Sequence, residues 1–192
     1  MPSAKLNPDQ RQTLLKVARR SILQGLETHQ PLALRAMDYP QTLQPVRASF
    51  VTLEKAGRLR GCIGTLTAYL PLVEDVAQRA FGAAFQDPRF LPVSVKELPQ
   101  LAIHISVLSP AEPLPCRDEA QLLSLLRPGV DGLVLSHGRL RATFLPAVWE
   151  QLPDPRLFMA HLKQKAGMPP DFWAADMLVE RYTTESFGEG DS

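Results

Sequence analysis

Leu14, Leu15, Ala18, Ile22 and Leu26 recur at three- and four-residue intervals, and the stripe they form predicts an amphipathic helix over residues 8–28. Asn7 is placed to cap it, and Pro8 falls at the first helical position, where a missing N–H costs nothing. A proline-punctuated arm, Pro31 to Pro45, follows. Phe50, Val51 and Leu53 mark a strand closed by Gly57, and LRGCIGTL reads as its return partner, weakened in the middle by Gly61 and Gly64. The stretch PLVEDVAQRAFGAAFQ, from Pro71, places Val73, Val76, Ala77, Ala80, Phe81 and Ala84 on one helical face, with Glu74, Asp75, Gln78 and Arg79 opposite. DPRFLP ends that helix. Residues 101–108 alternate as a strand, with Leu101, Ile103, Ile105 and Val107 on one side and His104 and Ser106 on the other.

The pattern continues with a short helix over 118–126, started by Asp118. A second hairpin, GLVLSHGRLRATFLP, turns at His137-Gly138, and a helix from Asp154-Pro155 stops at Gly167. A last strand spans roughly 177–187. Strands arriving as hairpins, without regular strand–helix–strand units, predict an α+β fold with a mainly antiparallel sheet and flanking helices. The 192 residues fit a single domain, 1–192, able to bury a core without disulfide or metal staples.

Composition narrows the function classes. Lys plus Arg (21) nearly balances Asp plus Glu (20), and aromatics are 7%. The basic excess and stacking surface of a nucleic-acid binder are both missing from that balance. No apolar run is long enough to span a membrane, and MPSAKLNPDQRQ carries no signal-peptide core. With two cysteines, Cys62 and Cys116, the expectation is a cytoplasmic protein with free thiols. Prolines number 18 of 192, about twice the usual ~5% share, which favours many short elements joined by rigid turns.

The densest chemistry lies in RGCIGT, Arg60 to Thr65. Gly61 and Gly64 flanking Cys62 admit close backbone approach to a ligand, or amides turned inward to stabilise an oxyanion. A thiol two residues from Arg60 is a candidate nucleophile, its thiolate favoured by positive charge. The competing reading makes Cys62 a small core hydrophobe and the glycines a bulge or tight packing. In DPRF, Asp87 and Arg89 read either as a helix-closing ion pair or as a pair orienting substrate. His104 and Ser106 form either a solvated face or a polar patch turned to a site. Lys165 stands three after Leu162 and seven after Phe158, on the apolar side of its helix with His161. It reads as a snorkelling side chain or, if desolvated, as a base or anion clamp. None of His29, His104, His137 and His161 has metal-ligand spacing with either cysteine, so no metal site is expected.

The blocks FVTLEKAGRLRGCIGT (50–65), AAFQDPRF (83–90), HISVLSP (104–110), GLVLSHGRLRATFLP (132–146), LKQKAG (162–167) and ESFGE (185–189) together resemble the AMMECR domain family, in its bacterial branch, the AmmeMemoRadiSam system protein A. The resemblance implies two unequal lobes, the larger built from both chain ends, with a cleft between them. It implies that Arg60, Cys62, Asp87 and Arg89 gather around one site near that cleft; Gly61, Gly64, Thr65 and Ser106 are candidate binding residues beside them, and Lys165 a candidate base. Some members carry a histidine where this chain has Asp131 before Gly132, so a mechanism needing that imidazole does not transfer. The family's activity is not established and no cofactor is named by the resemblance. Its association with a Memo-type protein and a radical SAM protein implies two functional expectations. One is a cysteine-dependent enzyme acting on a small molecule or protein side chain; the other is a non-catalytic module binding a ligand or those partners.

Overall fold

The computed structural model describes residues 5–190. Helix α1, Pro8–Thr28, begins with a capping box: the Asn7 side chain accepts from the Gln10 N–H at 2.9 Å, and the Asn7 N–H donates to Gln10 Oε1 at 2.8 Å. Helix α2 spans Leu72–Phe85 and helix α3 Glu119–Leu125, whose Asp118 cap accepts from the Gln121 N–H. Helix α4 is Pro155–Lys165, capped by Asp154. The strands are β1 Ser49–Lys55, β2 Arg58–Gly64, β3 Leu101–Leu108, β4 Glu112–Pro113, β5 Gly132–His137, β6 Leu140–Phe144, β7 Leu178–Tyr182 and β8 Thr184–Gly188.

They form two four-stranded sheets, ordered β2-β1-β3-β8 and β4-β7-β5-β6, and every pairing defined between them is antiparallel. The chain divides accordingly. One unit runs to Leu108 and resumes at Glu185; the other is Ser109–Thr184.

In the first unit, Val51, Leu53, Ile103 and Ile105 point from the sheet into a core completed by Leu14, Ala18 and Ile22 of α1 and Val73, Val76, Ala77 and Ala80 of α2. The alternation of β1 and β3 sets this: Val51, Leu53, Leu101, Ile103, Ile105 and Val107 share one face, so the residues between them lie on the other. Ala56 and Gly57 turn the β1–β2 hairpin with φ of 52° and 71°, the left-handed pair that matches strand twist. Between Leu53 and Glu54 the register slips by one residue, leaving Arg60 as the extra residue of a bulge.

The second unit packs its own core around Phe158, which stacks on Trp149 at 3.8 Å, with Leu122, Leu133, Leu135 and Leu162. Three sequence expectations are corrected here. The second hairpin turns at Gly138-Arg139, one residue later than expected, because His137 pairs with Leu140 and Gly138 takes the positive φ. The single strand expected over 177–187 is two strands in different sheets, broken at Thr183. There the N–H of Thr183 donates to the Ser109 hydroxyl, its carbonyl accepts from the Ser109 N–H, and the chain passes from one unit to the other. On α4, Lys165 is exposed and Lys163 is buried. The buried stripe of that helix runs through Phe158, Met159, Leu162, Lys163 and Ala166, so its polar border falls on the side of Lys165.

Candidate functional site

Position in the sheet explains what surrounds Cys62. Strand β2 lies at the edge of its sheet, so alternate N–H groups point away from β1 with no strand to receive them. The Cys62 N–H is one of these. It donates to Asp87 Oδ2 at 2.9 Å. Cys62 and Thr52 are therefore a non-hydrogen-bonded cross-strand pair, the kind that brings side chains closest. Their side chains meet accordingly, the Thr52 hydroxyl donating to Cys62 Sγ at 3.2 Å.

Asp87 reaches this edge because α2 packs closely on β2. A Cβ on Gly61 would lie 2.0 Å from the Ala83 carbonyl oxygen, a contact open to glycine alone. The helix ends two residues before Asp87. The Asp87 carboxylate is 2% exposed and carries three loads: the Cys62 N–H, the Arg89 N–H at 3.1 Å, and a two-pronged pair with the Arg89 guanidinium at 3.0 and 2.7 Å. Arg89 holds this carboxyl well below the ordinary carboxylate range, against the opposing pull of burial, with the two backbone N–H groups adding to it. The Arg89 guanidinium is pushed up in turn, chiefly by Asp87, with the charge on Cys62 the smallest contributor. Its side chain is 54% exposed.

Arg60 takes a different post. Its guanidinium bonds Glu97 at 3.0 and 3.2 Å and the Leu91 carbonyl at 3.0 Å, and it lies 5.8 Å over the Phe90 ring, which Arg89 covers from 5.5 Å. Lys55 shares the same carboxylate. Arg60 is the chief reason that Glu97 lies well below its usual range. Arg89 is thus the cation tied to Cys62 through Asp87, and Arg60 pins the 90–97 segment to the bulge.

Thr65 closes the loop, its N–H on the Ser49 carbonyl and its hydroxyl on the Thr67 carbonyl. Gly64 lets the Phe50 ring lie against the strand, since a Cβ there would fall 2.2 Å from it. The N–H of Cys62 itself, between the two glycines, is spent on Asp87. Ser106 stands in the row Gly64–Phe50–Ser106 and shares a 2.8 Å hydrogen bond with Ser186. Lys165 belongs to the second unit, where its ammonium donates to the Thr143 carbonyl at 3.0 Å and sits 5.1 Å over Phe144.

Thr52, Glu54 and Glu97 were not singled out from the sequence, and His104 was read there only as part of a solvated face or a polar patch turned to a site. Cys62, Thr52 and His104 form one cross-strand row on the sheet face opposite the helices, and His104 Nε2 lies 3.6 Å from Glu54 Oε2. The alternation of β1 and β3 puts them on that face. The bulge puts them in line with Cys62. Cys116 differs from Cys62: it packs against the second core, and burial pushes its thiol up, with Asp118 adding to the effect. Among the described residues, no three His, Cys, Asp or Glu side chains cluster so as to hold a metal ion. No helix among them is long and apolar enough to cross a membrane.

Comparison with known proteins fits this architecture into a family. The AMMECR1 family model matches residues 15–187. A Methanothermobacter thermautotrophicus protein is 40% identical over 191 residues, covering 98% of this chain and 99% of its own, and Methanocaldococcus jannaschii protein MJ0810 is 35% identical over 155 residues, 79% of this chain and 77% of its own. The crystal structure of uncharacterized protein PH0010 from Pyrococcus horikoshii superposes with a TM-score of 0.83 at 35% identity, covering 92% of this chain and 90% of that one. The chain belongs to the AMMECR1 family.

Proposed function

We propose that this AMMECR1-family protein is a cysteine-dependent enzyme with Cys62 as nucleophile, acting on a small molecule or a protein side chain. One observation carries the reading: the Thr52 hydroxyl donates to Cys62 Sγ at 3.2 Å on a half-exposed sheet face. The hydroxyl aims a donor at the sulfur, and Asp87 ties the Arg89 guanidinium to the backbone of the same residue. Asp87 is fully engaged as an acceptor, so it fixes the backbone at Cys62 and holds Arg89 in place instead of transferring protons. The RGCIGT loop is then the working part of the protein, within a three-component system with Memo-type and radical SAM proteins.

A second reading, an accessory module that binds those partners, is favoured by a different observation. Leu91 and Val95 are 83% and 69% exposed on the segment that carries Arg89, an apolar and cationic surface of the kind a partner covers.

Iodoacetamide labelling of the native protein at neutral pH separates the two. The enzyme reading expects Cys62 to label at least about tenfold faster than Cys116, whose thiol burial disfavours as thiolate. Equal labelling of the two cysteines, or labelling of Cys62 only after denaturation, overturns it in favour of the accessory module.

A further inference from the structure

We propose that His104 is the general base of a second half-reaction, activating the water that releases an acyl group from Cys62. This rests on Cys62 being the nucleophile.

Cys62 and His104 share one row and one face of the sheet, separated by the single residue Thr52 of β1. Two strand spacings put their Cα atoms about 9.6 Å apart. That separation is too long for a thiol and imidazole in direct contact. It suits a pair with a thioester carbonyl and one water between them, since a general base works at about 2.6–3.2 Å from the proton it takes, or through one water. The absence of a histidine beside Cys62 follows from the same division of labour: Thr52 and Arg89 prepare the thiol, so no imidazole is needed there.

The imidazole is held for this purpose. A Cβ on Gly188 would lie 2.3 Å from His104 Nδ1, so the glycine of β8 leaves the space the ring occupies. Nε2 is 3.6 Å from Glu54 of β1, which places this nitrogen on the side of the ring towards the strand that carries Thr52. The side chains of His104 and Glu54 are 40% and 39% exposed, so water reaches both.

The steps balance. The Cys62 thiolate forms a bond to the carbonyl carbon of an activated acyl compound, and the leaving group departs with the electrons of the broken bond. Water then adds to the thioester carbon while its proton passes to His104 Nε2. The C–S bond breaks, Cys62 leaves as thiolate, and a carboxylic acid is released. Glu54 is a positioning residue that faces the imidazolium formed in this step.

The test uses p-nitrophenyl acetate on the full chain in a Cys116→Ser background, following acetyl-Cys62 by intact mass. The expected result is that His104→Gln and His104→Asn form acetyl-Cys62 at the parent rate and lose it at least about tenfold more slowly. Glu54→Gln is expected to slow loss without slowing formation, a split that a merely structural role does not produce. Unchanged loss in both His104 variants overturns this inference and leaves the nucleophile reading standing. Equal slowing of formation and loss also overturns it, because the imidazole then acts at the thiol and not at water. Failure of the parent to form acetyl-Cys62 overturns the nucleophile reading and this inference together.

Discussion

The backbone N–H of Cys62 donates to the carboxylate of Asp87 across 25 residues of sequence, and the same carboxylate takes three further bonds from Arg89, one from its backbone and two from its guanidinium. One buried acid thereby ties the edge strand at Cys62 to the Arg89 guanidinium. Replacing Asp87 by Ala strands a backbone donor and one side of a charge pair. The expected loss is about 2–3 kcal/mol in urea unfolding, after allowance for the exposure of Arg89. A loss under about 0.5 kcal/mol would show that the strand edge does not depend on this acid.

The same carboxyl sets a pH dependence. Asp87 and Glu97 both titrate below their ordinary values in the folded chain. A carboxyl depressed on folding stabilises the protein fully above its unfolded pKa, near 4, and loses that contribution as pH falls towards its folded value. The urea midpoint should therefore be unaffected by these two groups from pH 7 to 5 and should fall below pH 4. Asp87→Asn should flatten that fall, and an acid limb of unchanged steepness would contradict the assignment.

Gly61 and Gly57 make a contrasting pair. Alanine at Gly61 places its methyl 2.0 Å from a helix carbonyl, and the backbone of α2 has to move. Alanine at Gly57 meets nothing within 4 Å and pays only for a φ of 71°. Thermal unfolding should show a loss of about 3 kcal/mol or more for Gly61→Ala and about 1–2 kcal/mol for Gly57→Ala. Equal losses would mean that β2 and α2 do not pack as closely as described.

Much of this fold is written in alternation and helical period. Val51 and Leu53, Ile103 and Ile105 announce their strands and the face they bury, and Asn7, Asp118 and Asp154 mark their helix starts. The site was less legible because a bulge decides it. Counting back from the Ala56-Gly57 turn without a bulge pairs Thr52 with Gly61; the extra residue, Arg60, moves Thr52 opposite Cys62. Nothing in the local pattern of 49–64 says where that slip falls. On paper Arg60, two residues away, was the cation nearest Cys62, and only the placement of Glu97 and Asp87 assigns Arg60 and Arg89 different work. Lys165 failed as an apolar-face residue for a simpler reason: helical period fixes the centre of a stripe, and Lys163 and Lys165 lie on its opposite borders.

Lys163 is fully buried, with its ammonium 2.5 Å from Glu119 and 3.0 Å from the Pro170 carbonyl. Removing the acid leaves a buried charge, whereas removing the lysine leaves an acid that water still reaches. Glu119→Gln should cost about 2–3 kcal/mol, and Lys163→Met, which fills similar space, less than about 1.5 kcal/mol. Chemical denaturation of the two variants checks the order, and the reverse order would show that the lysine holds the α3–α4 packing by more than this pair.

The central claim is that the Thr52 hydroxyl prepares Cys62 for reaction. The most direct measurement is the second-order rate of iodoacetamide alkylation at Cys62 in folded Thr52→Val and Thr52→Ser variants, each carrying Cys116→Ser. The account predicts about a five- to tenfold slower rate for valine and a rate near the parent for serine, the difference expected for the net worth of one hydrogen bond. Equal rates for valine, serine and parent would contradict it, and Cys62 would then be a packing residue at the edge of its sheet.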